Sequence, residues 1–244
     1  MTGGEGSDVY VVDNTLDVVV ELAGTSTGLD LVEAGASYRL TANVENLTLT
    51  GSADINGTGN DLRNLIAGNS GANTLDGGLG DDTVNGGDGA DILAGGGGAD
   101  SLAGDGGADR LSGGDGADQL TGGAGADIFA FTQADVHLTT LGGKADIDKI
   151  LDLSFADGDI IDLTGIDAIA GTPENDAFTY VTKFSKVAGQ ATLTYTASNN
   201  TTTLQLDVDG DGQADLKIAI TGNQVSSTSN PYTGGGDADG GWWL

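Results

Sequence analysis

The chain has 244 residues, no cysteine and a formal net charge of −29, from 37 acidic residues against 8 lysines and arginines. The missing cysteines exclude disulfides and thiolate metal sites, and the charge excludes nucleic acid and anionic membrane surfaces as partners, since both demand a basic patch. With 44 glycines, 2 prolines and 38% hydrophobic residues, the chain is too glycine-rich for an ordinary globular domain and too apolar for a disordered one.

Residues 1–58 open without the basic region and apolar stretch of a secretory leader, and no apolar run in the chain reaches membrane-spanning length. Gly3-Gly-Glu-Gly-Ser-Asp8-Val-Tyr-Val11 leads into Val18–Val20, "LDLVEA" from Leu29 and "VENLTLTGSADINGTG" from Val44. Short β-branched runs between Gly, Asn and Ser turns read as strands. Gly24-Thr-Ser26-Thr-Gly28 satisfies the G-x-S-x-G pattern of serine hydrolases. That chemistry needs a strand entering a helix and a histidine partner. No helix is legible after Gly28 and the one histidine is His137, so the segment reads as a loop.

Residues 59–130 repeat with a period of nine, in blocks beginning at Gly59, Gly68, Gly77, Gly86, Gly95, Gly104, Gly113 and Gly122. Position eight is Ile66, Leu75, Val84, Leu93, Leu102, Leu111, Leu120 and Phe129; position six is Asn64, Asn73, Asp82, Asp91, Asp100, Asp109, Asp118 and Asp127. One apolar residue in nine fits no helix. It predicts a three-residue strand after a six-residue turn, with glycines supplying positive φ in the turn. Two such units make a coil of 18 residues, and coils stack as parallel strands about 4.8 Å apart. Asp82, Asp100 and Asp118 then line one edge, and Asp91, Asp109 and Asp127 the other. Carboxylates at that spacing repel by about 3.5 kcal/mol at an effective dielectric of 20, and between Gly68 and Asp127 the only basic residue is Arg110. A calcium ion midway would sit about 2.4 Å from each, the Ca–O distance. The carboxylates are expected to be ligands. Turn carbonyls at Gly78, Gly80, Gly87, Gly89, Gly96, Gly98, Gly107, Gly114 and Gly116 are the expected further oxygens. Asn64 and Asn73 bring oxygen without charge, so their sites should be weaker.

The blocks at Gly77, Gly86, Gly95 and Gly113 resemble the RTX, or haemolysin-type, nonapeptide G-G-x-G-x-D-x-U-x, a motif known for calcium. The block at Gly104 departs from it, with Asp105 in the second glycine's place. The resemblance implies an all-β fold: a parallel β-roll with calcium between its turns and a β-rich C-terminal cap, exported by bacterial type I secretion. Residues 1–58 look like the degenerate coils that precede such arrays.

Longer strands follow over residues 131–233, including "DKILDLS" from Asp148, "GDIIDLTGI" from Gly158, "ATLTYT" from Ala191 and "TTTLQLDV" from Thr201. "ADIFAF" running into "DKILDLSFADGDIIDLTGID" is similar to the C-terminal β-roll region of serralysin-type metalloproteases and exported lipases. Asp207, Asp209, Asp211 and Asp215, with Gly212 at position six, form the front half of an EF-hand loop, but position twelve is Ile218. A calcium site and a plain Asp/Gly hairpin turn both fit. Residues 234–244 read as a flexible tail ending in Trp242-Trp243-Leu244, either a secretion signal or a terminus resting on the cap.

The whole reads as a noncatalytic calcium-binding module of a secreted bacterial protein, folding outside the cell and serving an attached N-terminal catalytic or adhesive domain. A structural or adhesive surface-layer module and a polysaccharide-binding accessory domain are the alternatives. Its expected partners are calcium ions and the type I secretion machinery, with no nucleic acid and no membrane span.

Overall fold

The computed structural model describes residues 1–21, 28–136, 146–169, 177–224 and the backbone of 242–243. The Thr25–Thr27 segment, His137 and residues 234–241 lie outside the described residues. The first strands are β1 (Val9–Val12), β2 (Leu31–Ala34), β3 (Tyr38–Arg39), β4 (Asn46–Leu49), β5 (Gly57–Thr58) and β6 (Leu65–Ala67). The repeats form β7 (Thr74–Leu79), β8 (Thr83–Asp88), β9 (Ile92–Gly97), β10 (Ser101–Gly106), β11 (Arg110–Asp115) and β12 (Gln119–Ala124). Then come β13 (Ile128–Thr132), β14 (Ile147–Ile150), β15 (Ile160–Gly165), β16 (Thr179–Tyr180), β17 (Gln190–Thr196), β18 (Thr201–Asp207), β19 (Leu216–Thr221) and β20 (Trp242–Trp243).

Alternate strands go to alternate sheets. One sheet runs β1-β2-β4-β6-β8-β10-β12-β14-β19-β18-β17-β16 and the other β20-β15-β13-β11-β9-β7-β5-β3. Every pairing from β1 to β15 is parallel, with like positions in register: Val84, Leu102 and Leu120 stack in one sheet, Leu75, Leu93 and Leu111 in the other. The position-eight residues are buried between the sheets and make one continuous core with Tyr10, Val32 and Leu47 before them and Ile150 and Ile161 after. This is the parallel β-roll expected from the period. Parallel stacking continues past Phe129 through β14 and β15. Only at β19 does the pairing turn antiparallel, in the meander β19-β18-β17 that caps the larger sheet. At the other sheet's end the backbone of β20 pairs with β15.

The strands differ from expectation in length. Those of the repeat span six residues, not three, because pairing resumes after the first glycine of the next block: Leu75 pairs with Leu93 and Gly78 with Gly96, while Gly77 is skipped. The second glycine carries the reversal, with φ of +102° at Gly78 and +105° at Gly96. Asp105 accepts the same conformation at φ +68°, which short polar side chains tolerate better than most. That is why the Gly104 block keeps its frame.

The core makes a direct test. Leu102 is fully packed between coils, whereas Leu79 points to solvent. Leu102→Ala should cost about 2–5 kcal/mol in denaturant unfolding of the folded chain, and Leu79→Ala less than about 0.5 kcal/mol. Equal losses would contradict the placement of the core.

Candidate metal centre

The position-six carboxylates form two ladders, one along each edge. Asp82 Oδ1 accepts from the Asn64 N–H at 2.7 Å, Asp100 Oδ1 from Asp82 and Asp118 Oδ1 from Asp100, both at 2.8 Å. On the other edge Asp91 accepts from Asn73 at 2.7 Å, Asp109 from Asp91 at 2.8 Å and Asp127 from Asp109 at 2.9 Å. One oxygen of each carboxylate is therefore committed to the backbone one coil earlier. The second is buried without a hydrogen-bond partner in all six: Asp82, Asp91, Asp100, Asp109, Asp118 and Asp127.

What faces that second oxygen is the first glycine of the same block. A Cβ on Gly86 would lie 2.5 Å from Asp91 Oδ2 and 2.8 Å from the Gly104 carbonyl oxygen, which arrives from the next coil. Gly77, Gly95 and Gly104 face Asp82, Asp100 and Asp109 in the same way, each with the carbonyl of a first glycine 18 residues on. Each cradle is lined by oxygen and kept open by the lack of a side chain. These first glycines were not among the residues singled out from sequence. Gly78, Gly80, Gly87, Gly89, Gly96, Gly98, Gly107, Gly114 and Gly116 all hold positive φ, from +97° to +142°, in the turns that flank the carboxylates.

The asparagines close their rungs without a cation. Asn64 Oδ1 accepts from the Asn60 N–H while its Nδ2 donates to the Val44 and Glu45 carbonyls. Asn73 Oδ1 accepts from Asn69 and its Nδ2 donates to the Ile55 carbonyl. At the other end both ladders run one rung past Asp127's coil, since Asp148 Oδ1 accepts from Asp118 and Asp159 Oδ1 from Asp127, each at 3.0 Å. Asp159 is finished by the Ser154 N–H on its second oxygen. Sequence reading ended the array at Asp127 because the segment before Asp148 breaks the nine-residue phase. The Asp-x-aliphatic triplet survives in Asp148-Lys-Ile150 and Asp159-Ile-Ile161 and was the available signal.

Burial, opposed by the backbone bonds, lifts these carboxyls from an ordinary 3.8 to about 6 at Asp82 and Asp127 and about 7 at Asp118 and Asp148. Asp91, Asp100, Asp109 and Asp159 are raised from the same leading cause. Neighbouring carboxylates push several of them the same way, among them Asp100 on Asp82. Among the described residues Arg110 Nη1 pairs with Asp162 at 3.0 Å and not with a ladder. A buried oxygen with no donor, a carbonyl facing the same gap and a local excess of negative charge suit a hard divalent cation.

The Asp207–Asp215 loop joins β18 to β19. Carboxylate oxygens of Asp207, Asp209 and Asp215 lie within 4.8 Å of one another. Asp211 is not among them; its carboxylate accepts from the Gln213 N–H and Nε2. Asp207 accepts from the Gly210 and Gly212 N–H groups and Asp215 from those of Val208 and Asp209. The loop has the bonding of a tight Asp/Gly hairpin turn around three convergent carboxylates.

Stacked parallel coils with an acidic ladder along each edge define a repeat solenoid of the RTX type. The sequence profile described as Peptidase M10 serralysin C terminal matches residues 2–230, and the chain belongs to this family. The endo-1,3-1,4-beta-glycanase ExsH of Rhizobium meliloti (strain 1021) is 42% identical over 71 residues, covering 29% of this chain and 15% of the relative. The metallopeptidase AprA of Pseudomonas marginalis is 40% identical over 80 residues, 33% of this chain and 15% of its own. The chain thus matches only about a seventh of the length of either relative. Among solved structures, the AlgE6R2 subunit of the Azotobacter vinelandii mannuronan C5-epimerase is 25% identical, covering 71% of this chain and 89% of that one with a TM-score of 0.44.

Two measurements probe the cradle. Gly95→Ala places a methyl against Asp100 Oδ2, whereas Gly97→Ala meets only the flexible tip of Leu79 at 3.2 Å. In a calcium titration followed by circular dichroism, Gly95→Ala should raise the folding midpoint about tenfold or more, equivalent to about 1.4 kcal/mol, and Gly97→Ala should leave it near the parent's. Equal midpoints would remove the cradle's role. The second measurement uses pH. Between about 4 and 7 the folded, metal-free roll binds more protons than the unfolded chain, because its carboxyls titrate higher, so its stability falls as pH rises through that window. In chelator, β-structure should increase on acidifying from about pH 7.5 to 5.5, while in calcium the midpoint should climb as protons compete for the same oxygens. A metal-free roll indifferent to pH would contradict the buried, uncompensated ladders.

Proposed function

We propose that this chain is a noncatalytic calcium-binding RTX module that folds on calcium binding after type I secretion and supports an attached secreted domain. The observation that carries the reading is the row of six buried carboxylate oxygens without a hydrogen-bond donor. Each would be costly in a metal-free fold at neutral pH, and each would gain a ligand bond from calcium. Asp82, Asp91, Asp100, Asp109, Asp118 and Asp127 would hold the ions, with glycine carbonyls of adjoining coils completing the shell. Where calcium is scarce, as in the bacterial cytosol, charge repulsion and the entropy of the glycines favour the unfolded chain. Outside the cell the ion supplies the missing free energy, and unfolded passage through a secretion channel is compatible with that order of events.

The lack of a catalytic role is supported by the two relatives, which are named as a glycanase and a metallopeptidase yet each resemble part of this repeat-bearing chain. By the same reasoning the module would act in bacteria as the extracellular partner of a domain on the same polypeptide.

A calcium titration tests the reading. The chain should lack its β signal in chelator and gain it cooperatively at about 10⁻⁴ to 10⁻³ M calcium, the range of extracellular calcium modules. Asp100→Asn should move the midpoint up several-fold, while Asp76→Asn, the same charge change at an exposed position of β7, should leave it in place. A native-like spectrum in excess chelator would overturn the switch, and equal midpoints for the two variants would overturn the ligand assignment.

A further inference from the structure

The N-terminal coil rebuilds the cradle with different donors. Thr2 bridges Val20 in parallel, and the Gly3 N–H donates to the Val20 carbonyl. Gly3 and Glu21 therefore stand side by side, 18 residues apart, as Gly77 and Gly95 do in the roll. Where the roll has a second glycine, this coil has glutamate. A Cβ on Gly3 would run into Glu21 Oε1 and Tyr10 Oη and lie 2.7 Å from Asp8 Oδ2. Glu21 thus brings a side-chain carboxylate to the gap that a main-chain carbonyl faces elsewhere. Asp8 is the position-six residue of its block: its N–H donates to Asp30 Oδ1 at 2.8 Å, the ladder bond, and its Oδ2 accepts from the Gly4 N–H at 3.1 Å. Asp8, Glu21 and Asp30 each bring a carboxylate oxygen within 4.8 Å of the others.

Tyr10 is the independent observation. Its side chain belongs to the core and is 5% exposed, yet its Oη has no hydrogen-bond partner among the described residues and projects into the Gly3 gap. Buried phenols ordinarily find a partner. Here the oxygen stands among carboxylates, where a cation would accept its lone pair.

We propose that Asp8, Glu21 and Asp30, with Tyr10 Oη, form a further site for a hard divalent cation of the calcium type, one that ties the first coil to the second. It shares no residue with the Asp82–Asp127 ladders.

Terbium tests this, because it occupies calcium sites and its emission is sensitised by an aromatic ring at the ion. Trp242→Phe and Trp243→Phe first remove the indole antennae from the full-length chain. Terbium added to the calcium-folded protein and excited in the tyrosine band should then emit brightly. Tyr10→Phe should abolish that emission while leaving the calcium-dependent circular dichroism unchanged. Glu21→Gln should abolish it as well. If Glu21→Gln impairs folding, Tyr10→Phe decides, since it retains every carboxylate. Emission that survives Tyr10→Phe, or survives Glu21→Gln in a folded chain, would overturn the site. The dichroism reads the ladders separately, so failure there leaves this result distinct.

Discussion

The hydrogen bond from each position-six backbone N–H to the carboxylate one coil later is the constraint on which this molecule is built. It recurs along both edges at 2.7–3.0 Å. It sets the 18-residue rise, holds like positions in register and requires an acceptor at every rung. A carboxylate makes a strong acceptor because it is ionised. The same bond turns its second oxygen into a gap closed off from water, where ionisation is unfavourable. The raised titration of Asp118 and Asp148, to about 7, records which effect prevails in the metal-free chain. The fold thus creates a need for positive charge that the described residues do not meet: Arg110 is engaged outside the ladders with Asp162.

The ends of the ladders show what the middle lacks. At Asn64 and Asn73 an amide replaces the carboxylate, and its nitrogen turns a buried acceptor into a donor that reaches carbonyls of the preceding chain. At Asp159 the second oxygen receives the Ser154 N–H. These rungs are complete in themselves. Between them lie the six whose second oxygen has nothing, so the places where the protein withholds its own donors are bracketed by places where it provides them.

Much of this was legible in the sequence because position eight and position six repeat in phase. A strict period of nine with one apolar residue allows no other arrangement of the core. The division of labour among glycines was not legible, since glycine at the first and second positions looks the same on paper. In the structure Gly78 and Gly87 are there for positive φ, which is why Asp105 can take their place. Gly77 and Gly86 have ordinary φ and are there for room, because a side chain would strike Asp82 or Asp91. Asp148, Asp159 and Asp30 escaped for a different reason. Insertions put them out of phase, and a periodicity argument loses such residues even when each still precedes an x-apolar pair. The EF-hand resemblance at Asp207 failed to separate two readings because an Asx-rich hairpin and a calcium loop use the same residues at the same spacing.

Stacking and ligation are carried by the same residues, and that shapes how order spreads through the roll. A rung reaches forward through its N–H to the coil that follows it and through its Oδ2 shares a cradle with that coil's glycine carbonyl. A lone coil has neither partner, so the first coil gains little for the chain entropy it loses. Once one pair exists, each added coil brings a hydrogen-bonded rung, a stacked aliphatic residue and a completed cradle together, over a loop of only 18 residues. That is the energetics of a one-dimensional array with strong nearest-neighbour coupling.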